Sequence, residues 1–169
     1  MEIVWESLEW PGMEHVIWQG AEGRADSAAV MLLPEGPLRV KYVLTPTHVE
    51  INGLILEHDG EGSWTDRPEL DGCLEVDISI TPLTNTLPIQ RLKLEPGESR
   101  EIRAVYIELP QLSVSVMPQR YTRLGDRLYR YQSEGFQADL SVDEFGLVVD
   151  YPGLWRRLHI GKCTGAGRP

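Results

Sequence analysis

The feature that most limits how this chain can fold is a period of two. In the stretch Cys73-Leu-Glu-Val-Asp-Ile-Ser-Ile80, the apolar Leu74, Val76, Ile78 and Ile80 alternate with Glu75, Asp77 and Ser79. Successive side chains of an extended chain point to opposite faces, so this spacing builds a strand with one apolar and one polar side. On this reading Glu75, Asp77 and Ser79 face solvent, where strand carboxylates ordinarily lie. The same pattern predicts strands over residues 38–44, 48–51 and 54–57. Asn52-Gly53 joins the last two as a hairpin, because both residues tolerate the positive φ that a type I′ turn requires. Further pairs follow: 101–109 with 112–117 across Pro110-Gln111, 119–124 with 127–132 around Gly125-Asp126, and 136–142 with 147–151 across 143–146. Successive hairpins of this kind make an antiparallel meander, and no internal repeat or linker divides it.

One stretch breaks the pattern. Thr81-Pro-Leu-Thr-Asn-Thr-Leu-Pro-Ile-Gln-Arg-Leu92 is dense in hydroxyl and amide groups, and its apolar residues step by four (Leu83 to Leu87) and by three (Ile89 to Leu92). That spacing predicts a short helix capped by Thr84, Asn85 or Thr86, with Pro88 in the first turn and an end before Pro96-Gly97. The expected architecture is a mainly β domain built around one α-helix, with residues 1–160 as a single domain and 161–169 as a flexible Gly-rich tail.

Composition narrows the partners. A chain of 169 residues buries roughly 70% of its unfolded surface as one domain, without needing metals or disulfides. Its net charge is −10, from 26 acidic and 16 basic residues scattered along its length. A nucleic acid or an anionic bilayer surface would be repelled at long range, so neither is expected as a partner. The first ten residues are acidic and lack the features of a secretory signal. No apolar run reaches the ~20 residues of a membrane span. A cytoplasmic location is the expectation. Cys73 and Cys163 are too few for a disulfide framework; Cys73 is expected in the packing and Cys163 exposed.

No catalytic signature appears. His15, His48, His58 and His159 occur singly without metal-ligand spacing, and no nucleophile elbow, phosphate loop or dinucleotide fingerprint is present. No metal, cofactor or catalytic residue is therefore assigned. Glu75, Asp77 and Asp143 supply an acid/base pair only if their face proves concave and buried. The scarce cations stand near aromatics, at Arg91, Arg120-Tyr121 and Trp155-Arg156-Arg157. Arginine clamps carboxylates and phosphates, and Tyr and Trp offer a broad face with a polar handle. For these residues, and for Thr81, Thr84, Asn85 and Thr86, ion pairing and helix capping stand open beside ligand binding.

The blocks ESLEWPGMEHV (6–16), VDISITPLTNTLPIQRL (76–92), VYIELPQLSV (105–114), QRYTRL (119–124) and GLVVDYPGLWRR (146–157) together resemble the putative glycolipid-binding family. The resemblance implies a spiral β-roll in which an antiparallel sheet of about fifteen strands, at the upper end of open sheets, wraps around a single α-helix. It also implies the holding of an amphiphile between sheet and helix, by likeness to lipid carriers whose half-open sheets enclose acyl chains. The expected function is glycolipid or lipid binding, with Thr81, Thr84, Asn85, Arg91, Arg120, Tyr121, Trp155 and Arg156 as candidate ligand-binding residues. Two alternatives stand beside it: an enzyme for a small polar or sugar-like substrate using Asp77 or Glu75 with Arg120, and an interaction module that forms a homodimer.

Overall fold

The computed structural model describes residues 1–162. The strands are β1 (Glu2–Ser7), β2 (Gly12–Gln19), β3 (Arg24–Leu33), β4 (Gly36–Thr45), β5 (His48–Ile51), β6 (Leu54–Glu57), β7 (Glu75–Ile78), β8 (Ser99–Glu108), β9 (Ser113–Gly125), β10 (Leu128–Ser133), β11 (Phe136–Val142), β12 (Val148–Tyr151) and β13 (Trp155–Gly161). Among the described residues a single α-helix, α1 (Leu83–Leu92), lies between β7 and β8, and a 3-10 turn at Pro68–Leu70 precedes β7. The thirteen strands form one sheet in the order β6-β5-β4-β3-β2-β1-β13-β12-β11-β10-β9-β8-β7. Two meanders thus meet at a seam where the first strand pairs with the last, Ser7 opposite Trp155 and Trp5 opposite Arg157. The sheet rolls around α1, which touches β7 beside it in sequence and β12 far from it.

Most pairings are antiparallel, but β7 runs parallel to β8, with Glu75 beside Ala104 and Ile78 beside Ile107. The helix is the reason, because parallel neighbours need a crossover connection and α1 supplies it. The expected hairpin at Asn52-Gly53 is present, with φ of 46° and 91° at the two residues. Residues 112–117 and 119–124 were expected as separate strands and are one strand, β9. Pro118 is accommodated because β10 pairs with β9 only from Arg120 onward, so no ladder donor is lost on that side.

The helix begins earlier than its hydroxyl cluster suggested. Leu83 is already helical, and Thr84, Asn85 and Thr86 lie inside the helix and are buried. Pro82 is the N-cap residue and makes no side-chain cap, and Thr81 just before it accepts the Leu83 N–H on its Oγ1 at 3.0 Å. Thr84 and Asn85 are turned to other partners described below, and Thr86 Oγ1 has none among the described residues. Pro88 falls in mid-helix, where its missing N–H leaves the Thr84 carbonyl without its helical donor. Lys93 closes the helix in the left-handed region at φ 48°.

Strands β2 and β3 carried no clear signal because their faces invert the usual polarity. On β2 the buried residues are Glu14, Val16 and Trp18, while Met13 is exposed. On β3 Ala25, Ser27, Ala29 and Met31 turn inward and Val30 and Leu32 turn out. Close approach of these two strands shows at Gly12, where an added Cβ would stand 2.5 Å from the Val30 carbonyl oxygen and 2.9 Å from Met31 Cα. Both contacts are backbone, so Gly12→Ala is expected to destabilise by about 1–3 kcal/mol in urea unfolding. A neutral result would show that the strand ends separate freely.

Cys73 is buried in the core as expected. β13 continues to Gly161, one residue into the expected tail; Cys163 and the rest of the tail lie outside the described residues.

Candidate functional site

The carboxylates of β7 point into the roll, not into solvent as the alternation suggested. Helix α1 covers them. Glu75 is buried and pairs with Arg91 from the last turn of the helix. Asp77 accepts hydrogen bonds from three side chains: Thr84 Oγ1 at 3.2 Å, Gln119 Nε2 at 2.6 Å and Tyr131 Oη at 3.3 Å. Burial pushes both carboxyls above their usual range, against the opposing pull of Arg91 on Glu75 and of Gln119, Thr84 and Tyr131 on Asp77. The bland reading of a solvated strand face fails because the edge of the sheet is rolled inside, where its outward row meets the helix.

Asp77 lies at a hollow of about 220 Å³ lined by Ser79, Thr81 and Asn85 together with Tyr106, Tyr131, Phe136, Tyr151 and Trp155. Positions on β8 and β10 and at the ends of β11, β12 and β13 bring these rings together. Tyr131, Phe136 and Tyr151 form a triangle with centroids 6.1, 6.5 and 6.3 Å apart and tilted or edge-on planes, the arrangement that ring quadrupoles favour. Burial, and then the nearby charge of Asp77, hold the Tyr131 hydroxyl well above the usual phenol range and raise that of Tyr106. Asn85 donates to Tyr121 Oη at 2.9 Å, which fixes the amide at the hollow's edge.

A second hollow of about 370 Å³ adjoins the first and shares Ser79, Tyr106, Leu154 and Trp155 with it. Its other walls are mainly apolar, from Trp10, Met31, Leu33, Leu38, Ile80 and Leu109, with Glu9, Glu35 and Glu108 among the lining residues. A larger groove of about 800 Å³ lies apart, lined by Arg91, Arg103, Arg120, Leu92 and Ile102 among others. It touches the first hollow through Ser133.

Of the residues singled out from sequence, Thr81, Asn85 and Trp155 line the first hollow. Thr84 is buried behind it on Asp77, and Tyr121 is buried against Asn85. Arg91 and Arg120 line the groove instead, and each is paired, with Glu75 and Glu101. Arg156 is exposed on β13, within 3.7 Å of Glu6 and 3.9 Å of Asp150. Arg120 and Asp77 therefore do not form the pair an enzyme reading required: Gln119 and Tyr121 turn inward on β9, and Arg120 between them turns out.

Sequence reasoning missed Glu14, Tyr106, Tyr131, Phe136 and Tyr151. The tyrosines carried a weak signal in the Tyr129-x-Tyr131 alternation, whereas Glu14 carried none. Fully buried, Glu14 accepts hydrogen bonds at 2.7 Å from each of Ser27, Tyr42 and Thr81. Burial nonetheless raises its pKa from 4.5 to about 7, against the lowering effect of those three hydroxyls. Through Thr81 this buried acid is tied both to the start of the helix and to the wall of the first hollow. Among the described residues no group of three or more His, Cys, Asp or Glu is placed to hold a metal ion, and no helix is long and apolar enough to cross a membrane.

The sheet rolled around one helix thus sets an aromatic and polar hollow beside an apolar one, with four lining residues in common. The family model described as "Putative glycolipid-binding" matches residues 2–157, and the chain belongs to that family. It is similar to a crystal structure of a DUF1089 family protein from Pseudomonas aeruginosa, at 39% identity and a TM-score of 0.79, over 87% of this chain and 92% of that one. No curated protein matches it.

Proposed function

We propose that the protein binds a glycolipid, with the glycosyl head in the hollow at Asp77 and the first part of the apolar chain in the adjoining hollow toward Trp10, Met31, Leu38 and Leu109. The observation that carries this reading is the sharing of Ser79, Tyr106, Leu154 and Trp155 between a polar, aromatic hollow and an apolar one. An amphiphile needs that juxtaposition. Aromatic faces and fixed hydrogen-bonding groups suit a sugar, and an apolar wall suits a chain. The family description supports the same ligand class.

The test is native mass spectrometry of protein purified from its host, compared with an organic extract of the same sample. A stoichiometric glycolipid is expected. Leu154→Trp, which fills the shared wall, is expected to lower the occupied fraction at least ~10-fold while the melting temperature stays near that of the wild type. A protein that carries no lipid and takes up none from added glycolipid would sink the reading.

A second, compatible reading is self-association. Met13 and Val30 are direct cross-strand partners on the outer face, Leu32 follows two residues along, and all three are about half exposed. An apolar strip of this kind suits a contact surface. Sedimentation at several concentrations tests it.

A further inference from the structure

We infer that the site selects its ligand by head-group charge: it takes an uncharged, hydroxyl-bearing head and turns away one bearing phosphate or carboxylate, with Asp77 as the discriminating side chain. The inference rests on the amphiphile-binding reading and refines it. None of the described residues lining either hollow is Lys, Arg or His. The guanidinium groups that sequence pointed to, Arg91 and Arg120, line the neighbouring groove, which meets the first hollow at Ser133, and are committed to Glu75 and Glu101. Arg156 is on the outer surface. An anionic head would enter the rolled sheet without a counter-ion.

What it would meet there is an acid. The donors on Thr84, Gln119 and Tyr131 already point at Asp77, so they are spent on that carboxylate and unavailable to a second one. A carboxylate has about four lone-pair positions, which leaves Asp77 able to accept one more hydrogen bond from a ligand donor. Glu9, Glu35 and Glu108 line the approach through the outer hollow, and the chain as a whole is at −10. Bringing a second negative charge against a desolvated one, with no cation between, is strongly unfavourable.

The hollow also argues against a cationic head. An aromatic cage holds an ammonium in a gap between rings, each about 6 Å or less from the cation. Here Tyr131, Phe136 and Tyr151 close on one another at 6.1–6.5 Å between centroids and present a wall. Hydroxyl groups, which donate and accept, match the mixed set of Asp77, Ser79, Asn85 and tyrosine hydroxyls.

The experiment is isothermal titration of the full chain at pH 7.5 with two probes of equal chain length, octyl β-glucoside and octyl phosphate, each below its micelle concentration. The glucoside is expected to bind at least ~30-fold more tightly, and Asp77→Asn to reduce that ratio below ~5-fold. The wild-type comparison stands alone if the variant does not fold. Glucoside binding with equal or tighter phosphate binding overturns the charge selection and leaves the amphiphile reading intact. Binding of neither probe overturns both. A ratio unchanged in an Asp77→Asn protein of native melting temperature overturns the role given to Asp77.

Discussion

Replacing Trp5 with alanine will cost about 3–5 kcal/mol, the range for deleting a buried aromatic side chain. Trp5 is fully buried on β1, where the two meanders meet: its strand pairs with β2 on one side and β13 on the other. The register shifts between Val4 and Trp5 on the β13 side, so the side chain packs beside an irregularity that neighbours cannot easily close over. Its indole N–H also donates to the Val148 carbonyl at 2.9 Å. Losing that donor leaves a buried acceptor unpaired, at about 1–3 kcal/mol. Trp5→Phe isolates the second loss, since it keeps most of the volume. Against a typical total of about 5–15 kcal/mol, the alanine variant will unfold at much lower urea, with little change in slope. A loss below ~1 kcal/mol would mean that the seam does not hold the two halves together.

Glu14 will make the protein more stable in mild acid than at neutral pH. Its carboxyl is raised from 4.5 to about 7 in the folded state, so the native form binds the proton more tightly than the unfolded chain does. The stabilisation is fully present below about pH 4.5 and is lost as pH rises through about 7. Across that window the loss from this one residue is about 3 kcal/mol. Glu75 and Asp77 are shifted in the same direction by burial and add to the slope. The exposed Asp59, Glu69 and Asp139 are lowered instead, and their opposite effect falls at more acid pH. Glu14→Gln retains the shape and removes the charge, so urea midpoints measured between pH 5 and 8 will lose most of their slope in that variant. An equally steep slope in the glutamine protein would place the titration elsewhere.

How much of this was legible varied with the faces of each strand. Where one face is apolar and the other polar, the chain announces itself: β5 and β6 with Asn52-Gly53, β8 and β10 through β12, and the helix between β7 and β8 stand in the sequence, while β9 reads as two strands. Where polarity is inverted, the signal vanishes. Glu14 and Ser27 point inward on β2 and β3, and Met13 and Val30 point outward beside them, so local pattern and true orientation disagree. The inversion is satisfied only by distant partners, since Glu14 is met by hydroxyls 13, 28 and 67 residues away. No window of neighbouring residues contains that information.

The site divides in the same manner. Thr81, Asn85 and Trp155 were visible as candidates because their residue types suit recognition, and all three line the hollow at Asp77. Arg91, Arg120 and Arg156 suited it as well, yet each stands against carboxylates elsewhere. Residue type says what a side chain can do, and only register and curl say what it faces.

By itself, then, the sequence determined that this is a β-rich chain with one helix, because period two and its single interruption are local consequences of backbone geometry. The tertiary structure decided that the first strand pairs with the last in the middle of the sheet, that β7 lies parallel to β8, and that the polar row of β7 turns into the roll. Those outcomes depend on contacts between residues far apart in the chain, whose energies are collected only when the sheet curls and the helix fills it. The hollow at Asp77 is a product of that curl.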